Sequence, residues 1–122
     1  MISQCNYAAQ ITPIQLSASR KKGINEPLTV DEKKELKALS GQMLWVTNHT
    51  RPDMSFEACV MSNAGRNSKV KNLVEANKAV MKMKKNDLSL KFCGLASAMD
   101  IELVCYADAT HASLEDGSSQ GA

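Results

Sequence analysis

Three sets of residues carry the chemistry this chain could perform: one aspartate at the end of an alternating run, a row of lysines, and a single arginine. Asp108 closes the run from Ile101, in which Ile101, Leu103, Cys105 and Ala107 alternate with Glu102, Val104, Tyr106 and Asp108. That period of two predicts a strand with unlike faces. A carboxylate at a strand end can present itself to a metal ion, and an aspartate there also serves as a turn former or cap. Metal-dependent phosphodiester chemistry gathers several carboxylates around two cations. Asp108 alone does not meet that requirement.

The lysines offer a different chemistry. Between Arg66 and Lys91 there are eight basic residues and two acidic ones, Glu75 and Asp87. Projected at 100° per residue, Lys71, Lys78, Lys82 and Lys85 fall in one narrow sector of a helix. Ammonium groups a turn or two apart can follow a nucleic-acid backbone, neutralising phosphates and releasing counterions. A solvated helix face produces the same pattern, and lysines in a last helical turn favour the helix dipole without any ligand. Aromatic side chains for reading bases are absent from this stretch, so binding here would be sequence-tolerant. Arg51 stands between two helical segments. It could bridge their ends, pair with Asp53 or Glu57, or contact a phosphate.

Other reactive side chains announce less. His49 and His111 have no Cys, Ser or carboxylate at the spacing of a catalytic triad. Cys5, Cys59, Cys93 and Cys105 are widely scattered, with no C-x-x-C pair, which argues against zinc or a disulfide framework. Asp116-Gly117-Ser118-Ser119 is turn chemistry, because no Gly-rich loop leads into a helix there. The net charge of +2 selects no class of partner. No apolar run approaches the ~20 residues of a membrane span, and the first ten residues lack the character of a signal peptide. The composition predicts a soluble intracellular chain, cytoplasmic or nuclear rather than secreted. Aromatic content is only 4% and there are seven methionines, so the core should be rich in Met and Leu.

The elements that would position these residues are marked along the chain. Residues 1–28 lack sustained periodicity and contain Pro13, Gly23 and Pro27, which predicts an extended linker. Thr29 with Glu32 forms a capping box for a helix over 30–47, whose apolar face is Leu36, Leu39, Met43 and Val46. Thr50-Arg51-Pro52-Asp53 opens a second helix over 52–64, apolar enough to be buried on most sides, with Gly65 at its stop. A third helix over 69–85 follows Ser68, with Leu73, Ala76, Val80 and Met83 as its stripe. Two strands, 88–93 and 101–108, are close enough in sequence to pair antiparallel. The fold class is therefore α+β: three helices and a C-terminal hairpin or partial sheet.

Taken together, three segments resemble copia-type LTR retrotransposon polyproteins. LTVDEKKELKALSGQMLWVTNHTRPDMSF is similar to the stretch that follows the polymerase palm. The matching positions are Gly41, Leu44, Trp45, Thr50, Arg51, Pro52, Asp53, Met54 and Phe56. The lysine-rich helix followed by LSLKF resembles the next helix and strand, and VCYADATHASLEDGSSQGA resembles the opening of the ribonuclease H domain. TRPD-x-x-F is the most specific of these motifs, and the resemblance spans roughly residues 28–121.

The resemblance implies a reverse transcriptase thumb or connection region at 29–87, with helices that hold template and primer, and the truncated start of a ribonuclease H domain at 88–122. It implies that the lysine face contacts an RNA–DNA hybrid, and that Asp108 is the first catalytic carboxylate, a ligand of Mg²⁺. The paired-aspartate motif of the polymerase and the remaining ribonuclease H carboxylates are not in the sequence. The expectation is a fragment that is catalytically inactive and holds no cofactor alone, Mg²⁺ belonging to the parent family. A non-catalytic nucleic-acid-binding module using the lysine face is the alternative. The oligomeric state is not legible.

Overall fold

The structure, a computed structural model, describes residues 3–65, 67–86, 88–91, 102, 104, 105, 109, 110, 120 and 121. The chain divides into two compact units, Met1–Phe92 and Cys93–Ala122. The first unit holds the helices: α1 (Cys5–Gln10), α2 (Ala18–Lys22), α3 (Val30–His49), a 3₁₀ turn (Pro52–Met54), α4 (Ser55–Ser62) and α5 (Val70–Lys85). None of the described helices is long and apolar enough to cross a membrane.

Helix α3 begins where its sequence signals it. Thr29 Oγ1 accepts from the N–H of Glu32 at 3.2 Å, and Glu32 Oε2 accepts from the N–H of Thr29 at 2.8 Å. Two donors that the first turn would leave orphaned are thereby satisfied. The helix buries Leu36, Leu39, Met43 and Val46, together with the hydroxyls of Ser40 and Thr47. Each hydroxyl donates to the carbonyl three residues back, Lys37 O and Leu44 O, both at 3.1 Å. Such local bonds let a polar side chain enter an apolar face without the desolvation penalty of an unmade bond.

The second predicted helix is divided. Pro52–Met54 forms a 3₁₀ turn and α4 follows from Ser55. Met54, Ala58 and Met61 are buried, while Phe56 is 63% exposed. The expectation of burial on most sides is thus corrected. In a nearly continuous apolar run, the sequence pattern does not distinguish the face that packs from the face that does not. After α4, Gly65 takes φ +40°, a left-handed conformation that glycine adopts without a Cβ penalty.

Helix α5 buries Val70, Leu73, Ala76, Ala79, Val80 and Met83 against α3 and α4. Its first-turn donors do not face solvent. The N–H of Val70 donates to Glu26 O at 3.0 Å and that of Lys71 to Ile24 O at 2.9 Å. At the turn before them, the N–H of Lys69 donates to Asn72 Oδ1 at 2.8 Å.

Residues 24–28 can reach α5 because the segment before them is packed rather than extended. This segment, expected as a linker, carries α1 and α2 and buries Ile11 to 1% exposure. Asn77 of α5 grips it from the side. Its Nδ2 donates to Ile14 O and its Oδ1 accepts from Ile14 N–H, both at 2.8 Å, so a side-chain amide pairs with the main-chain N–H and C=O of one residue, as a neighbouring strand would. Arg20 secures the far end with a fork onto Glu32, Nε to Oε1 at 2.9 Å and Nη2 to Oε2 at 2.8 Å, and with a bond to Pro27 O.

The α+β fold class does not survive. The described protein is helical, and residues 88–91, 102, 104 and 105 form no continuous strand. In the second unit, Ala109–Thr110 (β1) and Gln120–Gly121 (β2) pair antiparallel, with Ala109 opposite Gly121 and Thr110 opposite Gln120. The predicted pairing of 88–93 with 101–108 is not among these contacts. The rest of those two runs, 92, 93, 101, 103 and 106–108, lies outside the described residues. Alternation identifies which side chains would share a face, but a strand exists only where another backbone supplies its hydrogen bonds.

The Arg20 fork has a consequence for acid stability. The guanidinium beside Glu32, helped by the Thr29 N–H, lowers that carboxyl from 4.5 to about 2. A depressed carboxylate contributes its stability fully above the unfolded value and loses it as pH falls through the folded one. Stability should decline as pH drops from about 4.5 toward 2, and Glu32→Gln should flatten that decline in urea titrations across the range. An unchanged pH profile in the variant would remove Glu32 as its source.

Candidate nucleic-acid interface

The buried stripe of α5 turns Lys71, Lys78, Lys82 and Lys85 outward, away from the core. Their charges are not equally available. Lys71 lies 3.9 Å from Glu75 one turn on, an exposed pair of little energetic weight. Lys82 is ion-paired with Glu57, a contact that crosses from α5 to α4. Lys78 and Lys85 have no ion pair among the described residues. Lys84 is drawn to the N-terminal segment, donating to Ala9 O at 3.0 Å. The row is therefore cationic at Lys78 and Lys85 and partly compensated at Lys71 and Lys82.

Arg51 is committed to the fold. Its side chain is 5% exposed and forms a two-point fork with Asp53, Nε to Oδ1 at 2.8 Å and Nη2 to Oδ2 at 2.9 Å. Nη1 donates to Met83 O at 3.1 Å and Asn86 O at 2.8 Å. These carbonyls belong to the end of α5, where a helix leaves acceptors without internal partners and a cation complements the dipole. The same guanidinium holds Asp53 below the usual carboxylate range. Thr50 closes the motif on the other side, with Oγ1 donating to Gln4 Oε1 at 3.1 Å. The N–H groups of Thr50 and Arg51 both donate to Val46 O, at 2.9 and 3.0 Å. Pro52 opens the 3₁₀ turn, where its missing N–H costs nothing. Each residue of Thr50-Arg51-Pro52-Asp53 thus has a task in one junction, and a phosphate contact by Arg51 is not what the geometry offers.

Gly41 and Trp45 lie on the outer face of α3, away from its buried stripe. A Cβ at Gly41 would meet nothing within 4 Å. Trp45 is 51% exposed, with its ring against His49 at 4.0 Å between centroids. Neither residue packs in the core, so the helix spends a weak helix former and a large aromatic on its surface. A helical projection of α3 places Lys34, Ala38, Gly41 and Trp45 on one strip, and all four are exposed. That strip is legible in the sequence once the four positions are projected together, whereas the motif alone names residue types and not the face they occupy.

Asp108, expected as a catalytic carboxylate and Mg²⁺ ligand, lies outside the described residues, as do Arg66, Asp87, Cys93 and His111. Among the described residues, no three His, Cys, Asp or Glu side chains gather as a metal site. Cys5, Cys59 and Cys105 are in no disulfide. Comparison with protein-family models, with curated proteins and with solved structures gave no match.

Two substitutions test this geometry. Arg51→Met should cost about 3 kcal/mol or more in urea unfolding, because it strands a carboxylate and two helix-end carbonyls. Arg51→Lys should recover little, since a single ammonium cannot replace the fork. Parent-like stability of Arg51→Lys would show that the fork is not the lock. Gly41→Ala should instead stabilise the protein by roughly 0.5–1 kcal/mol, since the site is helical and sterically open. A loss of stability there would mean that the outer face of α3 is covered.

Proposed function

We propose that this chain is a segment of a copia-type retrotransposon polyprotein, the thumb or connection region of a reverse transcriptase running into its ribonuclease H domain. On this reading its helical unit holds nucleic acid without catalysing a reaction by itself. The observation that carries it is the solvent-directed lysine row of α5, with Lys78 and Lys85 as its uncompensated charges among the described residues. Ammonium groups on a rigid helix, with no base-reading side chains beside them, suit a phosphate backbone of any sequence. The Thr50-to-Asp53 junction supports the family reading, because the most specific part of the resemblance is a contiguous set of residues with one structural purpose. The natural ligand is then an RNA–DNA hybrid, and the place of action is the cytoplasm or nucleus. Mg²⁺ and strand cleavage belong to the parent family.

The alternative is a retained module that binds nucleic acid in its own right through the same lysines. Translation of the flanking nucleotide sequence separates the two. A paired-aspartate motif upstream and further acidic motifs downstream favour the polyprotein, and unrelated flanks favour the module.

Binding itself is tested by titrating a labelled RNA–DNA hybrid at several salt concentrations. Lys78→Glu combined with Lys85→Glu should weaken binding at least about tenfold and reduce the salt slope by roughly 2. Equal affinity and slope in parent and variant would remove the lysine row from the interface. With Mg²⁺ present, the parent chain should leave the hybrid uncut.

A further inference from the structure

A second surface of α5 has a different character. Beside the lysine row, a groove of about 380 Å³ runs between α5 and the N-terminal segment, lined by Leu16, Lys21, Val74, Asn77, Lys78 and Met81. Val74, Lys78 and Met81 follow each other at four- and three-residue intervals, so one wall is a helical ridge of apolar, cationic and apolar groups. Leu16 and Lys21 repeat the pairing of apolar body and ammonium on the facing wall. Met81 is 57% exposed, although its neighbours Val80 and Met83 are in the core.

The polar floor of the groove is already engaged within the fold. Both polar atoms of the Asn77 carboxamide are bonded to Ile14, which leaves the N–H and C=O of that residue no free edge for a β-strand. Recognition here has to come from apolar side chains entering the groove and carboxylates meeting its two lysines. A phosphate backbone would satisfy the lysines and leave the apolar walls unused. A neutral apolar segment would fill the walls and leave the ammonium groups without partners.

We propose that this groove docks an amphipathic helix of a partner protein, with apolar residues a turn apart and acidic residues beside them. Helix-in-groove recognition uses anchors at such spacing, and opposite charges at the rim set orientation and exclude cationic segments. The volume accommodates one or two large side chains, which makes this a small, transient contact rather than an obligate interface. Because Lys78 belongs to both surfaces, an acidic helix seated here competes with nucleic acid for that residue.

The probe is a fluorescein-labelled helical peptide about 16 residues long, with leucines at i and i+4 flanked by glutamates, followed by anisotropy against the full chain. A second peptide carries lysines in place of the glutamates. The parent protein should bind the acidic peptide and not the basic one. Met81→Ser, an uncharged surface change, should weaken that binding about tenfold, and Lys21→Glu should weaken it severalfold. Far-UV dichroism checks that both variants retain the fold. Hybrid affinity should be unchanged in Met81→Ser, which adds no charge beside the lysine row and so separates the two sites. Failure of the parent to bind the acidic peptide, or equal binding by Met81→Ser, overturns the proposal. Loss of hybrid affinity in Met81→Ser without loss of peptide affinity would assign the groove to the nucleic-acid interface instead.

Discussion

One buried guanidinium holds the helical unit together. Arg51 sits where α3 ends, yet its Nη1 reaches the last carbonyls of α5, and its other edge grips Asp53 at the entrance to α4. Three helices therefore meet at one side chain. Burying a charge is costly unless every hydrogen bond is made, and here a carboxylate fork and two helix-end acceptors are provided. Their provision depends on geometry. The double acceptance by Val46 O aims the backbone at residues 50 and 51, and the 3₁₀ turn places Asp53 two residues away. The core of α3 and α5 is apolar and adaptable, rich in methionine, and apolar packing alone specifies orientation weakly. The polar junction supplies the directionality that such a core lacks.

The cations of α5 can be understood against the same junction. Lys82, Lys84 and Lys85 occupy its last turn, and Arg51 approaches the same end from the interior. Positive charge is favourable there because of the helix dipole, so part of the lysine clustering has a structural cause that needs no ligand. Lys84 and Lys82 also tie α5 to the N-terminal segment and to α4. Lys78 lies further from the end and bridges no described elements. Helix-end energetics do not account for it, and it belongs to both the cationic row and the lining of the apolar groove.

Local signals are legible in the sequence and long-range ones are not. The Thr29–Glu32 capping box marks the start of α3, and the apolar stripes of α3 and α5 identify their buried faces, because both depend on residues within a turn or two. The N-terminal segment escapes this logic. It is held by Asn77 gripping Ile14 and by Arg20 gripping Glu32, pairs separated by 63 and 12 residues with no periodic signature. Phe56 belongs to a helix whose sequence is apolar on nearly all sides, so no pattern assigns it to the surface. Alternation from Leu88 onward suggests strands, but pairing requires a partner backbone that no side-chain pattern names. Arg51 is recognisable as a bridge or a phosphate ligand, and only the carbonyls of α5 decide between these.

Trp45 has a practical meaning beyond recognition. It is the chain's only indole, and in the native state it already stands half in water, leaning on His49. Unfolding moves it from one solvated setting to another, so its emission wavelength changes little when the core melts. An intensity change would report separation from His49, an event at the surface of α3. The cooperative loss of structure is better followed through the backbone dichroism of α3 and α5. In this protein the natural fluorophore observes the outside of the fold, where it would sense an arriving partner more faithfully than the state of the core.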